Sequence, residues 1–226
     1  MTDRLDEFAR LIDNESFEME LLEQDVKTIE ERKIGRIESR FVKNLQIQRA
    51  VPHVEITYKS TSKIKEAYGE ILAIEDGELK SEQAIAGYEY LTDGFELQLS
   101  KSTLRNHGGT TSPEDLLTAL YSLGYGLRSV MARRLGVNPI EIQCEPHLFP
   151  EQIRLLIYDN ESGGAGLSYP IFQDIEEVMD ETALQLQSCT CPDYCENCLL
   201  LPRTPTFLLE NDLLNRELGA VLLEHR

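Results

Sequence analysis

Cys189-Thr190-Cys191-Pro192-Asp193-Tyr194-Cys195-Glu196-Asn197-Cys198 gathers four of the five cysteines of a 226-residue chain into ten consecutive positions, with the spacing C-x-C-x3-C-x2-C. Four thiols held this close repel one another as thiolates and invite a soft cation to neutralise them. Zn2+ accepts four sulfurs tetrahedrally at about 2.3 Å. The gap from Cys195 to Cys198 makes a chelating half-turn, and Cys189 and Cys191 face the same way if their stretch is extended. An iron–sulfur cluster on the same thiolates is the second reading, and a chance cluster or a mobile redox site the third. Four sulfurs leave Zn2+ no open position for water, so one structural ion is expected rather than hydrolysis. The thiolates outweigh the ion's charge, and Asp193 and Glu196 add to the excess. Such a knuckle is a poor phosphate clamp. Its expected work is to tie the helix before it to the helix after it, and a structural zinc contributes on the order of 10 kcal/mol of apparent binding energy to folding.

Immediately upstream, Ile171, Ile175, Val178, Met179 and Leu186 give an apolar face to a helix expected over 167–187. Ahead of it, strand 153–158 runs through Asp159 into Ser162-Gly163-Gly164-Ala165-Gly166. Strand, glycine turn and helix can hold an anion on the free N–H groups of the helix start. Ser162, Gly163, Gly164 and Gly166 are therefore candidate anion or DNA contacts. The spacing is neither a P-loop nor a dinucleotide fingerprint, and Asp159 and Glu161 would repel phosphate. A tight, close-packed turn is the plainer reading. Phosphate-ester chemistry at Asp159 and Ser162 is the least supported. Downstream, Leu209, Leu213, Leu214, Leu218, Val221 and Leu222 mark a last amphipathic helix.

Further upstream, Ser112-Pro113-Glu114-Asp115 is a helix start with a hydroxyl at the N-cap, and Gly136 a natural C-cap. Between them runs an apolar stripe from Leu116 to Met131. Gly124 and Gly126 should each weaken that helix by about 1 kcal/mol and could admit a close neighbour. Strands are expected at 140–144 and 153–158. Tyr88–Tyr90 and Phe95–Leu99 alternate as strands do, with Thr92-Asp93-Gly94 read as a hairpin turn between them, and His53–Tyr58 alternates too. Cys144 is read as buried and inert, and none of the four histidines sits in a triad or His-x-x-x-His setting. Asn106–Thr111 is a second polar glycine loop.

The first 32 residues carry 11 acids and 4 bases. Leu5, Phe8, Leu11 and Ile12, then Leu21, Leu22, Val26 and Ile29, keep helical spacing, so two helices are expected there. Arg32, Arg36, Arg40 and Lys43 follow at helical spacing, most simply a solvated face paired with glutamates. The fold class expected is α+β: a small, mostly antiparallel sheet with packed helices and a C-terminal four-cysteine zinc module. An acidic helical arm over 1–44 precedes a domain over 45–226.

The balance of 40 Asp+Glu against 22 Lys+Arg gives a formal charge of −18. This argues against a chain that coats nucleic acid with its whole surface. Any DNA contact should come from local cations, with Arg128, Arg133, Arg134, Lys101 and Arg105 as candidates beside the glycine loops. No apolar run reaches the roughly 18 residues a membrane helix needs, and the acidic N-terminus is unlike a signal peptide. A cytoplasmic protein without membrane contact is expected.

Tyr158-Asp159 with Ser162-Gly163-Gly164-Ala165-Gly166, a helix of some 20 residues, then the four cysteines, resembles the MrfA zinc-binding domain family. That family is a C-terminal module of DEAD/DEAH-type superfamily 2 helicases and of the DrmB proteins of DISARM antiphage systems. The resemblance covers roughly residues 85–225. It implies zinc on Cys189, Cys191, Cys195 and Cys198, and a supporting, non-catalytic role in DNA repair or phage defence. Much of the family has glycine before the third cysteine, where this chain has Tyr194. No Walker lysine motif occurs in these residues, so the resemblance implies a helicase supplied in trans. An acidic interaction scaffold or nucleic-acid mimic is the alternative.

Overall fold

The structure is a computed structural model and describes residues 18–22, 27–55, 83–106 and 112–224. Among the described residues six strands form one sheet: β1 (Glu18–Leu22), β2 (Lys27–Ile34), β3 (Ile37–Glu55), β4 (Gln83–Ser100), β5 (Ile142–Leu148) and β6 (Gln152–Asp159). Their order is β1-β3-β4-β6-β5, with β2 also paired to β3. The pairs β1–β3, β2–β3, β4–β6 and β5–β6 are antiparallel. The helices are α1 (Lys101–Asn106), α2 (Pro113–Leu135), α3 (Ser168–Gln173), α4 (Ile175–Ser188), α5 (Thr206–Glu210) and α6 (Arg216–Glu224). The expected α+β class, with an antiparallel sheet and packed helices, is what the chain adopts.

The chain divides into two compact units. In one, residues 1–22 and 46–90, β1 pairs with Gln46–Ala50 of β3. The other, residues 23–45 and 91–226, holds the cysteine cluster. Its core lies between one sheet face and α2. Phe95, Leu97 and Leu99 of β4 and Ile153, Leu155 and Ile157 of β6 alternate inward, as half-buried strands require. Leu116, Leu120, Leu123, Leu127 and Met131 of α2 are buried in the same core, and α4 and α6 pack against α2. A methyl group at Gly124 would lie 2.6 Å from Cys144 Sγ, so the absence of a side chain lets α2 approach β5. Cys144 is buried, as expected.

Several expectations fail for physical reasons. Residues 18–22 and 27–44, expected as a helical arm, form strands within the described residues, and the apolar positions 5–12 lie outside them. Gly35 at φ 59° opens a two-residue turn, where a hairpin calls for glycine, and pairs Ile34 with Ile37. Ile37, Ser39 and Phe41 then point inward at every second residue. Arg32, Arg40 and Lys43 therefore lie on a hairpin rather than a helix, and they meet Glu30, Glu96 and Asp93. This is the pairing with acids that the plainer reading of the stripe called for.

Thr92-Asp93-Gly94 is no turn: β4 runs straight through it. Gly94 is needed for space, since a methyl there would lie 2.5 Å from the Ile157 carbonyl oxygen. Thr92 Oγ1 donates to the Asp159 carbonyl at 2.7 Å. The helix expected over 167–187 breaks at Asp174 into α3 and α4, and the last helix breaks at 211–215 into α5 and α6. Helix α2 runs as expected to a left-handed Gly136, φ 67°, but the Ser112 side chain makes no capping hydrogen bond. Residues 140–144 divide between a 3-10 turn, Pro139–Glu141, and β5.

Candidate metal centre

Helix α4 ends at Cys189, whose extended backbone (φ −72°, ψ 135°) turns the chain out of the helix. That sets Cys189 and Cys191 on one limb of a loop. The other limb is a tight turn in which the N–H groups of Cys198, Leu199 and Leu200 all point at the Cys195 carbonyl, each at 3.0 Å. The Cys195 N–H in turn faces Cys198 Sγ at 3.2 Å. The sulfurs stand 3.5 Å (Cys189–Cys191) and 3.8 Å (Cys195–Cys198) apart within the limbs, and 3.5 Å (Cys189–Cys195) and 3.6 Å (Cys191–Cys198) apart across them. All four lie within 4.8 Å of one another. A regular ZnS4 tetrahedron with bonds of about 2.3 Å has edges of about 3.8 Å, so the donor set and its spacing fit one four-coordinate ion.

The electrostatics of the four sulfurs differ. The Cys191 backbone N–H beside Cys189 brings that thiol down to about 7, with the neighbouring sulfurs adding to the effect. Burial pushes Cys191 and Cys198 up. Cys198 is buried outright, while the other three are half-exposed.

The knuckle is bound to the helices on both sides. Gln185 of α4 donates through Nε2 to the Cys198 carbonyl at 2.8 Å. From α6, Arg216 Nε donates to the Cys191 carbonyl at 2.6 Å, and the Arg216 backbone N–H donates to the Asp193 carbonyl at 2.8 Å. Asn215 Nδ2 donates to Asp193 Oδ1 at 3.0 Å. Hydrogen bonds thus join the loop to the helix before it and to the helix after it, through Gln185, Asn215 and Arg216, none of which was singled out by the sequence. The signal was there: Asn215 is an N-cap, its Oδ1 accepting from the N–H groups of Glu217 and Leu218 at 3.0 and 3.1 Å.

The glycine turn is closed on itself. Gly163, Gly164 and Gly166 all have positive φ, which allows the sharp path. The Gly163 N–H donates to the Leu91 carbonyl at 2.7 Å and that of Gly164 to the Glu161 carbonyl at 3.0 Å. At the start of α3 the anion is internal: Asp159, fully buried, accepts from the N–H of Leu167 at 3.0 Å and of Ser168 at 2.9 Å. Ser162 is exposed at the tip. The turn is tight but not close-packed: a methyl group at Gly163 or Gly166 would meet nothing within 4 Å, and only at Gly164 does the Asp93 backbone come near, at 3.3 Å.

The candidate cations are scattered. Arg128 is buried, stacks on the Tyr125 ring at 4.7 Å and donates to the Pro139 carbonyl at 3.0 Å. Arg134 sits among Asp174, Glu177 and Glu181, at 4.0, 3.2 and 2.6 Å, and Glu181 raises its pKa. Arg133 is exposed and donates to Gln185 Oε1 at 3.0 Å. The Lys101 N–H donates to the Glu151 carbonyl at the start of α1. The side chain of Arg105 and the loop 107–111 lie outside the described residues.

Comparison with known proteins places this geometry. ATP-dependent helicase HRQ1 of Saccharomyces cerevisiae is 25% identical over 120 residues, which is 47% of this chain and 11% of that protein. Druantia protein DruE of Escherichia coli is 28% identical over 115 residues, 47% of this chain and 6% of its own length. The chain thus spans a small fraction of either relative. A crystal structure of the DUF1998 helicase MrfA bound to DNA shares the fold, with a TM-score of 0.59 over 94% of this chain and 25% of that one, at 12% identity. No helix among the described residues is long and apolar enough to cross a membrane. Residues 123–199 match the family model of the MrfA Zn-binding domain, so the part of the chain that holds the sulfur quartet is similar to that domain.

Proposed function

We propose that this chain is a non-catalytic accessory module in which Cys189, Cys191, Cys195 and Cys198 ligate one structural Zn2+, and that it works beside a superfamily 2 helicase motor supplied in trans. The observation that carries this is the sulfur quartet at 3.5–3.8 Å, clamped between α4 and α6 in a helicase-type domain. The zinc supplies cross-linking: it replaces mutual repulsion of thiolates with four bonds and fixes where α6 docks. With its shell filled by sulfur, it offers a substrate no open position.

The motor, rather than this chain, is the main grip on DNA in this reading. The burial of Arg128 and the carboxylates around Arg134 support that division of labour. Any direct DNA affinity of this chain is weak and falls steeply with salt. The work of the complex is DNA repair or antiphage defence. Affinity capture from the native host tests the partnership, followed by ATPase and unwinding assays of any captured helicase with and without this chain. Stimulation of unwinding is the expected result. Retention of an unrelated complex, with no helicase in it, contradicts the proposal and favours the acidic scaffold. Deletion in the host separates the two roles, by sensitivity to DNA damage or by increased phage plating.

A further inference from the structure

We infer that Arg216 is a positioning residue for the metal centre, setting the Cys189–Cys191 limb against the Cys195–Cys198 turn so that zinc affinity depends on the docking of α6. This rests on the zinc reading above and goes beyond the ligand set. The Arg216 guanidinium bridges two carbonyls that no other described side chain joins. Nε donates to Cys191, the carbonyl of a ligand residue, at 2.6 Å, and Nη1 to Leu186, in the last turn of α4, at 3.3 Å. Its backbone N–H holds Asp193, between the second and third cysteines, at 2.8 Å. Three positions around the first limb are therefore fixed by one residue at the start of α6.

The position also suits a cation. The carbonyls at the end of α4 carry the negative pole of the helix, and a four-thiolate zinc carries an excess negative charge. The guanidinium lies mostly out of solvent, its side chain 15% exposed, where screening is weaker than at the surface. Asn215 anchors the same corner from its other side. Its N–H donates to Ser122 Oγ of α2 at 2.7 Å, and Ser122 Oγ donates to the Thr118 carbonyl at 2.7 Å. The path from ligand limb to core thus runs from Cys191 through Arg216 and Asn215 to α2. Partners that orient metal ligands typically contribute 10–100-fold to affinity.

The test is zinc affinity of the folded full chain, measured by competition with a chromophoric chelator, and the absorption of the Co2+-substituted protein. Arg216→Gln is expected to weaken zinc binding about tenfold and to alter the Co2+–thiolate bands. Arg216→Lys keeps the charge but cannot bridge two carbonyls with a planar fork, and is expected to recover less than half of the loss. It also serves if the Gln variant fails to fold. Leu97→Ala, buried in β4 rather than in the helices that clamp the knuckle, is expected to lower the melting temperature while leaving zinc affinity and the Co2+ spectrum unchanged. Wild-type affinity in both Arg216 variants, or an equal loss in Leu97→Ala, overturns the assignment while the zinc reading stands. A wild-type chain that binds no zinc overturns the zinc reading itself.

Discussion

The glycine turn at 159–168 and the knuckle at 189–198 do the same mechanical job with opposite chemistry. The turn leads into α3, which packs on β6, and the knuckle follows α4, which packs on α2 and α6. The turn carries its own counter-charge: the Asp159 carboxylate is met by two backbone N–H groups within hydrogen-bond distance, and the loop is complete as built. The knuckle assembles four like donors and needs a cation from outside to hold them together. The difference teaches which region depends on conditions. The turn should be indifferent to chelators, and the knuckle should be governed by them.

The largest effect expected is at the knuckle. Cys195→Ser with Cys198→Ser should abolish metal binding and lower the melting temperature by about 10 °C or more, as calorimetry would read. Added chelator should reproduce that shift in the wild type and do nothing further to the double variant.

Next comes the turn. Asp159→Ala strands the buried N–H of Ser168 and the part-buried N–H of Leu167, and denaturant titration should show a loss of about 2 kcal/mol with zinc content unchanged. If the Asp159 variant also sheds its zinc, the two regions are not independent and the comparison breaks.

A smaller effect belongs to a site outside both. Gly124→Ala gains helix propensity but thrusts a methyl against Cys144 Sγ, and should cost about 1–2 kcal/mol in the same titration. Adding Cys144→Ala should return most of it. A Gly124→Ala variant as stable as wild type would mean that α2 and β5 are not in close contact.

The smallest is pH-dependent. Burial holds the His147 imidazole below its ordinary range, so the unfolded chain takes up the proton first as pH falls. The His147 contribution is complete above about pH 6.5 and is lost as pH drops through the lower folded value. His147→Gln should flatten that part of the stability–pH curve, and an unchanged slope would remove burial as the cause.

What could be read in advance follows from how local the determinants are. The cysteine quartet, helix α2 with Pro113 and Gly136 at its ends, and strands β5 and β6 each carry their signal within a few residues. The N-terminal hairpin did not. Arg32, Arg36, Arg40 and Lys43 fit a helical period by charge alone, while the decisive residue was Gly35, whose positive φ opens a hairpin turn. Thr92-Asp93-Gly94 misled in the opposite direction. Its composition suits a turn, but Gly94 is there because the Ile157 carbonyl, far along the chain, leaves no room for a side chain. Arg216 was invisible for the same reason: its partners are 25 and 30 residues away, and no spacing rule links them.

Metal content bears most directly on the claim that these four sulfurs hold one ion and so fix the docking of α6. Zinc and iron should be quantified together on protein purified without added metal, with the melting temperature taken before and after chelation. One zinc per chain, negligible iron and a marked fall in melting temperature on its removal are predicted. A folded chain that carries no metal, or that melts identically once stripped, would contradict the account.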